Sequence, residues 1–137
     1  MKAALQSPSV HSPREGDEFY IAEGCYILES WNRDEDPDVS IARARVVPGV
    51  TTRLHRLEGI VERYLMLSGR GRVEVEGLEP RLVGPGDLVV IPAGAGQRIA
   101  NLGETDLVFY AICTPRFVQR AYQDIDPEPF PEAAPAR

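Results

Sequence analysis

GVTTRLHRLEGIVERYLMLSG (residues 49–69) and GDLVVIPAGAGQRIAN (residues 86–101) are the stretches that decide the fold. In the first, Glu62, Tyr64 and Met66 recur with a period of two, which puts them on one face of a strand with Arg63 on the other. His55 and Leu57 are likewise two apart and share a face. In the second, Gly84-Pro85-Gly86 makes a turn, DLVVIP (87–92) reads as a buried strand stopped by proline, and QRIAN (97–101) as a short strand. Gly69-Arg70-Gly71 between the two reads as a hairpin turn; no helix follows it, so it is no phosphate loop.

Outward from these stretches the pattern stays β. SIARARVV (40–47), ERYLMLSG (62–69), GRVEVEG (71–77) and DLVFYAIC (106–113) are short and β-branched or alternating, and glycine and proline separate them. Such spacing predicts a sandwich or barrel, and a small barrel encloses a pocket. RFVQRAYQDI (116–125) carries Phe117, Ala121 and Tyr122 at helical spacing, so a short C-terminal helix is the most helix expected. Residues 1–18 and 126–137 are rich in proline, serine and charge, and read as a flexible arm and a flexible tail around a domain at 19–125.

The spacing of particular residues goes further. Gly49, His55, Leu57, Glu62 and Gly69 are separated by five, one, four and six residues. Gly86, Pro92, Gly94, Gln97 and Asn101 are separated by five, one, two and three. This pair of motifs resembles the signature of the cupin superfamily, G-x5-H-x-H-x3,4-E-x6-G followed by G-x5-P-x-G-x2-H-x3-N, at eight of its ten positions. The resemblance implies an all-β double-stranded β-helix, the cupin jelly-roll barrel. In that family the three histidines and the glutamate hold a divalent metal. Here Leu57 and Gln97 stand where two of the histidines would be, so the turn-shaping positions are kept and the ligand set is halved.

Two readings of the site follow. In one, His55, Glu62 and Gln97 form a three-ligand centre for Mn, Fe, Zn or Mg, because an oxygen-rich set suits hard cations. In the other there is no cofactor, and His55, Glu62 and Gln97 hydrogen-bond one another. Glu62 and Tyr64 are the candidate acid–base residues, since a carboxyl desolvated among Leu57, Met66 and Tyr64 should have a raised pKa; Leu57 and Met66 are the candidate pocket walls. Arg43 and Arg45 either line an anion pocket or lie on the outer face, depending on whether Ala42, Ala44 and Val46 point inward.

Composition limits the partners. A net charge of −6 argues against nucleic acid and against an anionic membrane surface. Cys25 and Cys113 match no zinc pattern, and no segment reads as a signal peptide or membrane span, so a cytoplasmic protein with reduced thiols is expected. YIAEGCYILESW (20–31) is apolar beyond what one small core requires, which predicts a homodimer in which this segment packs on a neighbour. The function classes left open are a metal-assisted dioxygenase, isomerase or epimerase, a metal-free enzyme, and a non-catalytic module that binds a small molecule.

Overall fold

The computed structural model describes residue 5 and residues 7–130. The arm and tail expectations fall in part on residues 1–4, 6 and 131–137, outside the described residues. Among the described residues, eleven strands form two antiparallel sheets that face each other as a jelly roll. In chain order they are β1 (Phe19–Ile21), β2 (Cys25–Trp31), β3 (Ser40–Val46), β4 (His55–Leu57), β5 (Val61–Ser68), β6 (Gly71–Val75), β7 (Arg81–Val83), β8 (Leu88–Ile91), β9 (Gln97–Asn101), β10 (Leu107–Thr114) and β11 (Tyr122–Asp124). One sheet runs β1-β2-β3-β10-β5-β8 and the other β11-β4-β9-β6-β7.

The strand alternation read from the sequence sets which side chains are inside. Glu62, Tyr64 and Met66 of β5 are buried and Leu65 and Leu67 are exposed. Ala44 and Val46 of β3 join Tyr64, Met66, Phe109, Ile91, Val73, Val75 and Ile99 in one core drawn from both sheets. Arg43 and Arg45 therefore lie on the outer face. Arg43 meets Glu15 at 2.8 Å, and Arg45 meets Glu18 at 2.7 Å and Asp106 at 3.1 Å. The Glu18 side chain is only 1% exposed, so the chain is already docked on the sheet before β1 begins.

One segment differs from expectation. Residues 116–125 hold a 3-10 turn, Gln119–Ala121, and then β11, in place of an α-helix. Tyr122 pairs with Leu57 and Asp124 with His55, so the sheet edge at β4 takes the segment as a further strand. Residues 20–31 form the β1–β2 hairpin at the edge of the chain's own sheet and bury Cys25, Tyr26 and Leu28. The turn-forming asparagine of the second motif has a structural task. Asn101 donates to the carbonyls of Val46 and Thr105, both at 2.8 Å, and accepts from the Gly103 amide, locking the corner between β9 and β10.

Gly69 shows why the motif demands glycine. Its φ is +88°, and a Cβ there would lie 2.7 Å from the Asp106 carbonyl oxygen and 2.9 Å from the Leu107 Cα. Both strain and overlap oppose any side chain. Gly69→Ala is expected to cost about 2 kcal/mol, seen as a lower urea midpoint. An unchanged midpoint would mean that the β5–β6 and β9–β10 corners separate without cost.

Candidate functional site

The two sheets enclose a cavity of about 640 Å³. Ala42, Ala44, Leu57, Phe109, Ala111 and Phe117 supply apolar wall, and Glu23, His55, Glu62 and Tyr64 supply buried polar groups. Glu29, Asn32 and Arg116 also border it. Small residues on β3 leave the volume that a larger side chain would fill, so the alternation of small and charged residues in SIARARVV makes the room inside and the ion pairs outside.

The polar groups form a connected chain. Tyr64 donates its hydroxyl hydrogen to Gln97 Oε1, and Gln97 Nε2 donates to Glu62 Oε1 at 2.8 Å. Cys113 Sγ lies 3.7 Å from Glu62 Oε2. Gln97 is 1% exposed and stands behind Tyr64 and Glu62, outside the cavity lining. It orients the two groups that do face the cavity. His55 is placed by a different contact: its Nδ1 is 2.7 Å from the Arg53 carbonyl, which can only accept, so Nδ1 carries the hydrogen. Nε2 then points toward Glu23 Oε1, 3.5 Å away, and the Tyr122 ring stacks on the imidazole at 5.1 Å.

Glu23 has no place in either sequence motif. It sits in the turn between β1 and β2, whose backbone is tied to the segment ahead of β4 by the Arg53 amide donating to the Glu23 carbonyl at 2.7 Å. That tie brings its carboxylate to His55. Desolvation pushes the Glu23 carboxyl above its usual range, with His55 opposing. Desolvation also lifts Glu62, to about 7; the charge of Glu23 adds to the rise, and His55 and the Gln97 hydrogen bond oppose it. Tyr64 is held well above its ordinary value, chiefly by burial and then by Glu62, so it stays a phenol.

Of the residues singled out from the sequence, His55, Leu57, Glu62 and Tyr64 line the cavity together. Met66 does not. It lies one alternation beyond Tyr64 and packs in the closed core with Leu107 and Phe109. The residues present do not fit the divalent metal that the resemblance implies. The Gln97 oxygen is engaged by Tyr64 and its nitrogen by Glu62. Leu57 has no lone pair, and among the described residues no three His, Cys, Asp or Glu side chains gather where an ion could be held.

Comparison with known proteins agrees with this architecture. The family model described as Cupin domain matches residues 42–113. The oxalate-binding protein of Thermotoga maritima is 35% identical over 71 residues, which is 52% of this chain and 58% of that protein; the match thus spans little more than half of the relative's length. Among solved structures, KdgF from Halomonas sp. superposes with a TM-score of 0.69 at 24% identity, covering 80% of this chain and 96% of that one. Pac13 of Streptomyces, described as a unique nucleoside dehydratase, superposes with a TM-score of 0.70 at 14% identity, covering 86% of this chain and 92% of that one.

Proposed function

The chain belongs to the cupin domain family, and from that premise we propose that it binds a small organic molecule inside the barrel and moves a proton on it without a metal. One observation carries the reading: Glu62, lifted to about 7, faces a cavity of about 640 Å³. A carboxyl poised near neutrality is matched to proton transfer in both directions. Gln97 fixes its orientation through Oε1. Tyr64 has spent its hydrogen on Gln97 and so offers the ligand an oxygen lone pair. Glu23, its carboxyl raised by desolvation, stands 3.5 Å from His55 Nε2 and can exchange a proton with a ligand beside it. The uncatalysed alternative, a module that binds and does nothing more, uses the same cavity and differs only in turnover.

The experiment is a thermal-shift screen of small organic molecules on EDTA-treated protein, followed by NMR of the hits in deuterium oxide. The expected result is a hit that binds without metal and exchanges a carbon-bound hydrogen with solvent in the wild type but not in Glu62→Gln. Binding that requires a stoichiometric divalent ion would restore the metal-assisted reading. Binding with no exchange or conversion would leave the non-catalytic module.

A homodimer is part of the proposal. Leu88 and Val90 of edge strand β8 are 57% and 56% exposed, and Leu88 faces Leu65 across the β5–β8 ladder. An apolar outer face beside an open edge is suited to a second copy of the same face. Light scattering should give twice 15.1 kDa, and Leu88→Arg should give the monomer. A monomeric wild type at micromolar concentration would remove this part.

A further inference from the structure

The charged groups on the cavity wall are mostly carboxyls, and this bears on what it can hold. The charged and titratable groups along its wall are Glu23, Glu29, Glu62, His55, Tyr64 and Arg116, with Tyr122 and Cys113 beside them. Three are carboxyls and one is a guanidinium. The two arginines of β3 that could have supplied positive charge point outward to Glu15, Glu18 and Asp106. Arg116 is already committed: Nε donates to Asn32 Oδ1 at 2.7 Å and Nη1 lies 3.2 Å from Asp34. Asn32 in turn donates to the Phe117 carbonyl at 3.0 Å and to Glu29 at 3.1 Å. Tyr64 donates away from the cavity, into Gln97.

A ligand carboxylate placed here would meet Glu62 and Glu23, with the wall's one guanidinium, Arg116, already paired with Asp34, and would lose its hydration, an arrangement that is costly in a low-dielectric cavity. A hydroxyl or ammonium group would instead donate to Tyr64 Oη, Glu62 and Glu23. Resting on the ligand-binding reading above, we propose that the cavity selects a molecule with an apolar body and a donating hydroxyl or ammonium group, and rejects small carboxylates, including oxalate. The selectivity residues are Glu23 and Glu62, and the apolar body lies against Leu57, Phe109 and Phe117.

Four probes of related size and different charge test this by calorimetry on the full-length wild-type protein at about pH 8, where most of Glu62 is ionised: benzyl alcohol, benzylammonium, benzoate and oxalate. Benzyl alcohol and benzylammonium are expected to bind at least about tenfold more tightly than benzoate, and oxalate to give no binding heat. The isosteric variants Glu23→Gln and Glu62→Gln, measured separately, should each narrow the gap between benzoate and benzyl alcohol. Benzoate or oxalate binding as tightly as benzyl alcohol overturns the selectivity while leaving the binding cavity in place. Silence of all four probes overturns both. A gap unchanged in both folded variants also overturns it, because the two carboxyls would then not be its source. The wild-type order tests the proposal even if a variant does not fold.

Discussion

Glu62→Gln should make the protein about 3 kcal/mol more stable than the wild type near pH 8, and no more stable below about pH 4.5. Burial and the nearby Glu23 raise the Glu62 carboxyl from 4.5 to about 7 in the folded chain. The folded state therefore holds this proton more tightly than the unfolded state does. The stability that the protonated carboxyl contributes is fully present below about 4.5 and is lost as the pH rises through about 7. At about 1.4 kcal/mol per pH unit, that gap gives the figure of about 3 kcal/mol. Glutamine keeps the acceptor for Gln97 Nε2 and removes the charge. In a chain of this length the gain corresponds to a rise in melting temperature on the order of 10 °C. Glu23, also raised, leaves the variant with a smaller slope of the same sign. The measurement is thermal unfolding of both proteins from about pH 4 to about pH 9. Parallel curves, with a difference that does not depend on pH, would show that Glu62 titrates at its ordinary value, and the proton-transfer reading would lose its support.

The same residue shows what was legible in the sequence. Period-two alternation put Glu62 and Tyr64 inside, and the structure has them there because a strand between two sheets has one inner face and no choice about which residues share it. The motif glycines and Asn101 were legible for a similar reason: each answers a backbone demand set by a corner, as the Gly69 and Asn101 contacts do. Glu23 was not legible. It lies 32 positions before His55, in a turn with no periodicity, and only the β1–β2 hairpin and the Arg53–Glu23 backbone tie bring it to the imidazole. Gln97 was legible as an inward residue but not in its task. Whether an amide offers its oxygen to an ion or spends it on a neighbour depends on what stands beside it, and Tyr64 is on another strand in the other sheet. Residues 116–125 carried apolar positions compatible with a helix. The open edge of β4, a tertiary feature, made three of them a strand.

The double change Leu57→His, Gln97→His is expected to raise divalent-metal affinity by orders of magnitude. The backbone already brings the four positions together. His55 and Gln97 are partners across β4 and β9, and Gln97 is within 2.8 Å of Glu62. Leu57 shares the inner face of β4 with His55 and lines the same cavity as Glu62. Each new imidazole replaces a side chain that offers no lone pair or one already spent on Tyr64. The change at 97 also frees the Tyr64 hydroxyl, which must then turn to the cavity or to an imidazole nitrogen. Some of the gain is lost to that competition, so the single variant Gln97→His should bind metal more weakly than the double. Calorimetry with Mn²⁺ and Zn²⁺ gives the affinities, and melting with and without EDTA gives the linkage. Metal at a thousandfold above its dissociation constant should add about 4 kcal/mol to stability. His55→Ala or Glu62→Ala on top of the double change should reverse most of this, since each removes a ligand from the rebuilt set. A folded double variant with no more metal affinity than the wild type would mean that the inner faces of β4 and β9 do not aim at one point. His55 would then be a histidine held for structure alone, between the Arg53 carbonyl, the Glu23 carboxyl and the ring of Tyr122.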